Sequence, residues 1–161
     1  MTNVKAPEGI EVITKSTGPN QFTIVATATF NCDPPKIWKL LWDWEQLLTV
    51  GLPGMTKNFQ WLNGSPEQIP SSFQFELGGA IIKEEIYKRT TKDNHCLRYR
   101  TLEPSLGVVD YDAILELHPI DQKHTVFTAT RKVTFEPGVE PDMLAEMVKS
   151  ETKNLKDYFT G

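Results

Sequence analysis

The sequence predicts an α+β fold: a curved, antiparallel, seven-stranded sheet wrapped around a long C-terminal helix, with two short helices after the first strand. Three observations carry this expectation. Most of the alternating apolar segments are joined by connections of hairpin length, which antiparallel neighbours use. The apolar period switches from two to that of a helix in only two places. A sheet of this size must cover one face, and residues 142–159 form the only helical segment long enough to do so.

The elements follow in order. QFTIVATATF (21–30) alternates and is rich in β-branched and aromatic residues, so it reads as a strand. In CDPPKIWKLLWDWEQLL (32–48), Asp33 is placed to cap a helix with Pro34 at its first position. Ile37, Trp38, Leu41 and Trp42 recur at helical spacing, Asp43-Trp44 marks a break into a second short helix, and VGLPGM (50–55) ends it. Strands follow at 56–62, 71–77, 80–90, 96–103 and 108–118, with 126–136 completing the sheet. Asn63-Gly64 and Gly78-Gly79 read as hairpin turns, as do KDN (92–94) and PIDQK (119–123). Asp142 is positioned to cap the last helix, whose stripe is Leu144, Met147, Val148, Leu155 and Phe159. Ser150, Glu151, Thr152 and Asn154 interrupt its apolar content midway. Helices this few leave room for an internal hollow.

The 161 residues fit one domain, 1–161, able to bury a core without disulfides or metal. A net charge of −4 and the absence of a basic run argue against nucleic acid as a partner. Cys32 and Cys96 form no CxxC pair and read as free thiols in a reducing compartment. The first residues show no apolar core of signal length, and fraying is expected there. With no membrane-length apolar run, the expectation is a cytoplasmic protein without membrane insertion. His95, His118 and His124 are dispersed and read as solvated surface; no metal-binding, Walker, GxGxxG or GxSxG pattern appears.

The succession of elements resembles the Bet v 1-like, or START-like, helix-grip superfamily. NCDPPKIWKLLWDWEQLLTVGLPG (31–54) looks like the opening of its bacterial polyketide cyclase/dehydrase (SRPBCC) group, and residues 77–120 resemble that group's middle. The resemblance covers nearly the whole chain through no single catalytic motif. It implies a hydrophobic pocket between sheet and long helix. It does not imply one activity, since relatives include lipid carriers, hormone receptors and aromatase/cyclases. No cofactor is implied, and the oligomeric state stays open between monomer and homodimer. LGGA (77–80) and EPSLGV (103–108) correspond by order to entrance loops, although Gly78 and Gly79 also satisfy hairpin geometry alone.

Strand parity places Tyr99, Tyr111, Leu115, Phe127 and Arg131 on the inward face. The 80–90 strand is ambiguous: Ile81, Lys83, Glu85 and Tyr87 share one face, and Ile82, Glu84, Ile86 and Lys88 the other. Similarity to relatives leans towards Glu85 and Tyr87 inward; a bulge would reverse this. The charge run IKEEIYKR otherwise reads as a solvated sheet face. Arg131 interrupts the apolar face of VFTATRKVTFE (126–136), and a buried guanidinium needs a counter-charge. Glu85 and Glu103 are candidate partners. Arg131 is then a ligand anchor for a carboxylate, phenolate or enolate, a structural ion pair, or an exposed side chain. Trp38, Trp42 and Trp44 read as the joint between helices and sheet, or as a pocket wall.

The first functional expectation is binding of a small hydrophobic molecule, with Phe73, Phe75, Leu115, Phe127 and Met147 as apolar wall and Arg131, Tyr87, Tyr99 and Tyr111 orienting its polar end. The second is a cofactor-independent cyclase/dehydratase, in which Arg131 stabilises an enolate and Glu85 or a tyrosine moves protons. The third is a regulatory sensor whose loops move with ligand.

Overall fold

A computed structural model describes residues 9–91 and 95–159; the 92–94 turn and the expected fraying of the first residues lie outside them. The chain runs β1 (Glu11–Gly18), β2 (Gln21–Phe30), α1 (Pro34–Trp42), α2 (Trp44–Gly51), β3 (Thr56–Asn63), β4 (Ser71–Leu77), β5 (Ala80–Thr90), β6 (His95–Thr101), β7 (Val108–Asp121), β8 (His124–Phe135) and α3 (Asp142–Tyr158). One antiparallel sheet has the order β1-β2-β8-β7-β6-β5-β4-β3. It has eight strands rather than the expected seven. The extra strand, β1, is an edge whose residues are exposed apart from half-buried Val12 and Gly18, so it carries almost no inward alternation.

The α1–α2 break falls at Asp43, which ends one helix and caps the next by accepting the Gln46 amide at 3.2 Å. Asp33 stands at the N-cap of α1, with proline following, but its side chain forms no capping bond. Asp142 does not cap α3 either; Pro141 holds the cap position, and Asp142 lies in the first turn, where its charge suits the helix dipole. The Gly78-Gly79 turn has φ of 59° and 80°, the doubly left-handed geometry that lets two residues close a hairpin. It pairs Leu77 with Ala80, Phe75 with Ile82 and Phe73 with Glu84. β7 continues to Asp121, into the segment expected to turn at 119–123, and the reversal to β8 takes only two residues.

The core gathers under α1, α2 and α3. Phe30 stacks on Phe127 at 5.0 Å and on Phe159 at 5.3 Å. Trp38 and Trp44 are buried there, while Trp42 is half-buried beneath the Arg89 guanidinium, 3.9 Å from its ring. His95 lies edge-on to Trp38 at 5.0 Å, so it is not simply solvated. The α2–α3 approach is close. Asn154 Nδ2 donates to the Gly51 carbonyl at 2.9 Å, and a Cβ on Gly51 would come within 2.8 Å of Glu151 Cγ. That contact fixes where the middle of α3 presents Glu151.

Candidate functional site

Between the sheet and α3 lies a hollow of about 710 Å³. Its wall is predominantly apolar: Leu41, Leu47 and Leu48 from the first helices, Phe75, Ile82, Leu115 and Phe127 from the sheet, and Met147 and Leu155 from α3. The mouth is formed by Met55, Leu77-Gly78, Ser105-Leu106, Val139 and Met143. Both loops expected at an entrance therefore line it. Leu106 and Met143 are exposed, and the Leu106 side chain reaches to about 4.0 Å from where a Cβ on Gly78 would stand.

A compact polar group interrupts the apolar wall. Arg131 sits on β8 between Ile24 and Ala113 of the neighbouring strands. Alanine at 113 leaves space for the guanidinium to pass along the sheet. Arg131 Nε donates to Tyr111 Oη at 2.7 Å, and Nη2 to Glu151 Oε1 at 2.7 Å. The two hydroxyls of Tyr99 and Tyr111 are 3.0 Å apart, and Trp44 packs edge-on to Tyr99 at 4.8 Å. Glu84, opposite Phe73 and Thr101, completes the group.

Electrostatics follow from this burial. Desolvation pushes the Glu84 carboxyl up to about 8; the Glu151 carboxylate adds to the rise, and Arg131 and the Trp44 indole oppose it. Glu84 therefore carries a proton at neutral pH. Burial would lower the pKa of Arg131, but Tyr111, Tyr99 and Glu151 outweigh it and push it up, so the cation is secure. Burial also raises both Tyr99 and Tyr111, keeping their hydroxyls protonated. The group is thus one cation, one carboxylate, one neutral carboxylic acid and two phenols. Arg131 Nη1 is buried along it without a partner, and Trp44 Nε1, near the Glu84 carboxyl, makes no full hydrogen bond.

The sequence expectations meet this geometry unevenly. Phe75, Tyr99, Tyr111, Leu115, Phe127, Arg131 and Met147 all line the hollow. Phe73 lies behind the wall, stacked on Phe59 at 5.3 Å and packed against Trp44 and Trp61. Glu85 and Tyr87 need correction, because β5 presents its other face: Ile82, Glu84 and Ile86 are buried. Glu85 instead accepts from Arg100 Nη2 at 2.8 Å on the outer face, where the Arg100 guanidinium also lies 4.9 Å from the Tyr87 ring. Tyr87 donates to Asp112 at 2.6 Å. Glu103 is likewise no partner of Arg131; it pairs with Lys83 at 3.6 Å. Sequence reasoning missed Glu84 and Glu151; Trp44 lines the hollow, the alternative weighed for the tryptophans.

Residues 21–159 match the family described as polyketide cyclase/dehydrase and lipid transport. The chain belongs to this family. Among solved structures, it is similar to major latex-like protein 151 from Panax ginseng, with 11% identity and a TM-score of 0.69, over 88% of this chain and 99% of that one. It is also similar to a norcoclaurine synthase point mutant from Thalictrum flavum, solved with a transition-state analogue. There the identity is 14% and the TM-score 0.62, over 92% of this chain and 98% of the other. Both likenesses establish the Bet v 1-like helix-grip fold. No curated protein sequence matches the chain. Among the described residues no helix is long and apolar enough to cross a membrane, and no cluster of three or more His, Cys, Asp or Glu side chains is arranged to hold a metal.

Proposed function

We propose that this family member binds a small hydrophobic molecule inside the hollow, with its apolar body against the leucine and phenylalanine wall and its polar end at the Arg131 group. The observation that carries this reading is the combination of about 710 Å³ of apolar space with a single convergent set of polar side chains. Ligand sites have this composition: broad apolar contact for affinity and a few polar groups for orientation. A lipid-like, polyketide-like or aromatic ligand suits such a wall. Native mass spectrometry of the purified protein, followed by solvent extraction, tests the proposal. A bound organic molecule released on denaturation is expected; a protein that stays ligand-free and takes up no added apolar compound refutes it.

One observation favours a second reading, a cofactor-independent cyclase/dehydratase. Glu84 is a buried carboxylic acid with a pKa of about 8 in the wall of the hollow. A group poised near neutral pH, beside a fixed cation, is suited to moving a proton while Arg131 steadies a developing enolate. Glu84 thereby takes the part expected of Glu85. Turnover of a bound ketone that disappears in Glu84→Gln while ligand affinity is retained is the expected signature of this chemistry. Unchanged turnover in that variant removes Glu84 from the mechanism.

A further inference from the structure

The chemistry of the polar group narrows the class of ligand. Arg131 is 2% exposed, Trp44 2% and Glu84 7%, so each is held away from bulk water. The Arg131 charge is already matched, since Nη2 lies 2.7 Å from Glu151 Oε1. Its Nε is taken by Tyr111. Arg131 Nη1 is an N–H donor buried on the hollow without a partner; Trp44 Nε1 makes no full hydrogen bond but lies near the Glu84 carboxyl. No buried acceptor along the hollow is left in that condition among the described residues. One hydrogen bond joins the Tyr99 and Tyr111 hydroxyls, so it uses only one of their two O–H donors.

We infer that the hollow selects an uncharged apolar molecule ending in a hydrogen-bond acceptor, such as a ketone or ester carbonyl, and disfavours the matching carboxylate. A carbonyl oxygen relieves the Arg131 Nη1 donor, which is costly to leave buried and unpaired. A carboxylate brings a second negative charge to a cation that Glu151 already neutralises, and loses its hydration without compensation. The protonated state of Glu84 is compatible with this, because it adds an O–H donor and no further charge, while the Trp44 indole lies on the accepting side of the carboxyl. This inference rests on the reading of the hollow as an apolar-ligand site. It replaces the anionic ligand that Arg131 suggests when considered alone.

The test is displacement of the neutral dye Nile red at neutral pH by three probes of matched chain: methyl decanoate, decanoate and decane. Methyl decanoate is expected to displace the dye at a concentration about tenfold or more below that needed for either of the others, the scale of one good hydrogen bond. The variant Glu84→Gln/Glu151→Gln strips both carboxyls and leaves Arg131 without a counter-ion, so the order of ester and carboxylate is expected to reverse. Both carboxyls must go, since Glu84 alone can ionise and replace Glu151. Should the variant not fold, the wild-type ranking decides. Decanoate binding as well as the ester, or decane binding as well as the ester, overturns the inference while leaving the apolar site intact. Failure of Nile red and all three probes to bind overturns the site itself and the inference with it.

Discussion

Arg131 has 3% of its side chain exposed and therefore depends on its partners. Removing one member of a buried pair costs about 3–5 kcal/mol, because the other charge is left behind; here Glu151, with 22% of its side chain exposed, retains some water. Arg131→Met is thus expected to lower stability by about 2–4 kcal/mol, and Arg131→Met/Glu151→Met by less than the single change. Urea unfolding of wild type, singles and double closes this cycle, and a single variant as stable as wild type shows that the pair contributes nothing. Glu84 makes a second residue-scale prediction. Its folded pKa of about 8 lies above the ordinary 4.5. Between these values the folded protein holds a proton that the unfolded chain has released, so stability falls as pH rises across that window. Glu84→Gln is expected to flatten this slope, and melting temperatures from pH 5 to 9 measure it. Tyr87→Phe provides the contrast: it loses one outer-face hydrogen bond, about 1 kcal/mol, with no change in ligand affinity. Weakened binding in Tyr87→Phe, seen by the same dye displacement, means that β5 faces the other way.

The elements position these residues, and the α2–α3 junction does so most tightly. Gly51→Ala is expected to push Glu151 away from Arg131, because the added methyl would lie 2.8 Å from Glu151 Cγ. The expected results are a loss of about 1–3 kcal/mol in urea and weaker ligand binding; unchanged values show that α3 adjusts freely. At this scale the sequence carries much of the orientation of the strands. Gly78-Gly79 read correctly as a tight hairpin, and Phe73 and Phe75 correctly face inward. A two-residue turn pairs Phe75 with Ile82 and Phe73 with Glu84, and directly paired residues share a face. The orientation of β5 therefore follows from its neighbour, whereas similarity to relatives pointed to Glu85 and Tyr87. The bulge between Ile86 and Lys88 comes later in the strand and moves Arg89 to the side of Trp42. Glu151 was also within reach: it lies three residues after Val148, four after Met147 and four before Leu155, on the helical stripe. Treating it as an interruption of apolar content hid its place. β1 had no such signal, since Val12 is its one half-buried apolar side chain.

At the scale of the whole molecule, the hollow is lined from Leu41 to Leu155 and belongs to no local segment. Order and hairpin length were enough to anticipate the sheet and its covering helix, but contacts between α3 and β8 depend on packing that strand parity does not encode. A ligand that occupies this space stabilises only the assembled protein. At a hundred times its dissociation constant it is expected to add about 2.7 kcal/mol, read as a concentration-dependent rise in melting temperature. A compound that binds by dye displacement without raising the melting temperature sits elsewhere.

The Arg131–Glu151 contact also orders events in time. During synthesis the arginine leaves the ribosome twenty residues before its carboxylate, within the last strand and ahead of the closing helix. Until that helix docks, the guanidinium stands on an open, wet sheet and costs little; once the sheet is covered, it must find its partner or remain stranded. A nascent chain released short of residue 151 is therefore expected to be held open by its own cation, which makes the last helix a checkpoint on completion rather than only a lid.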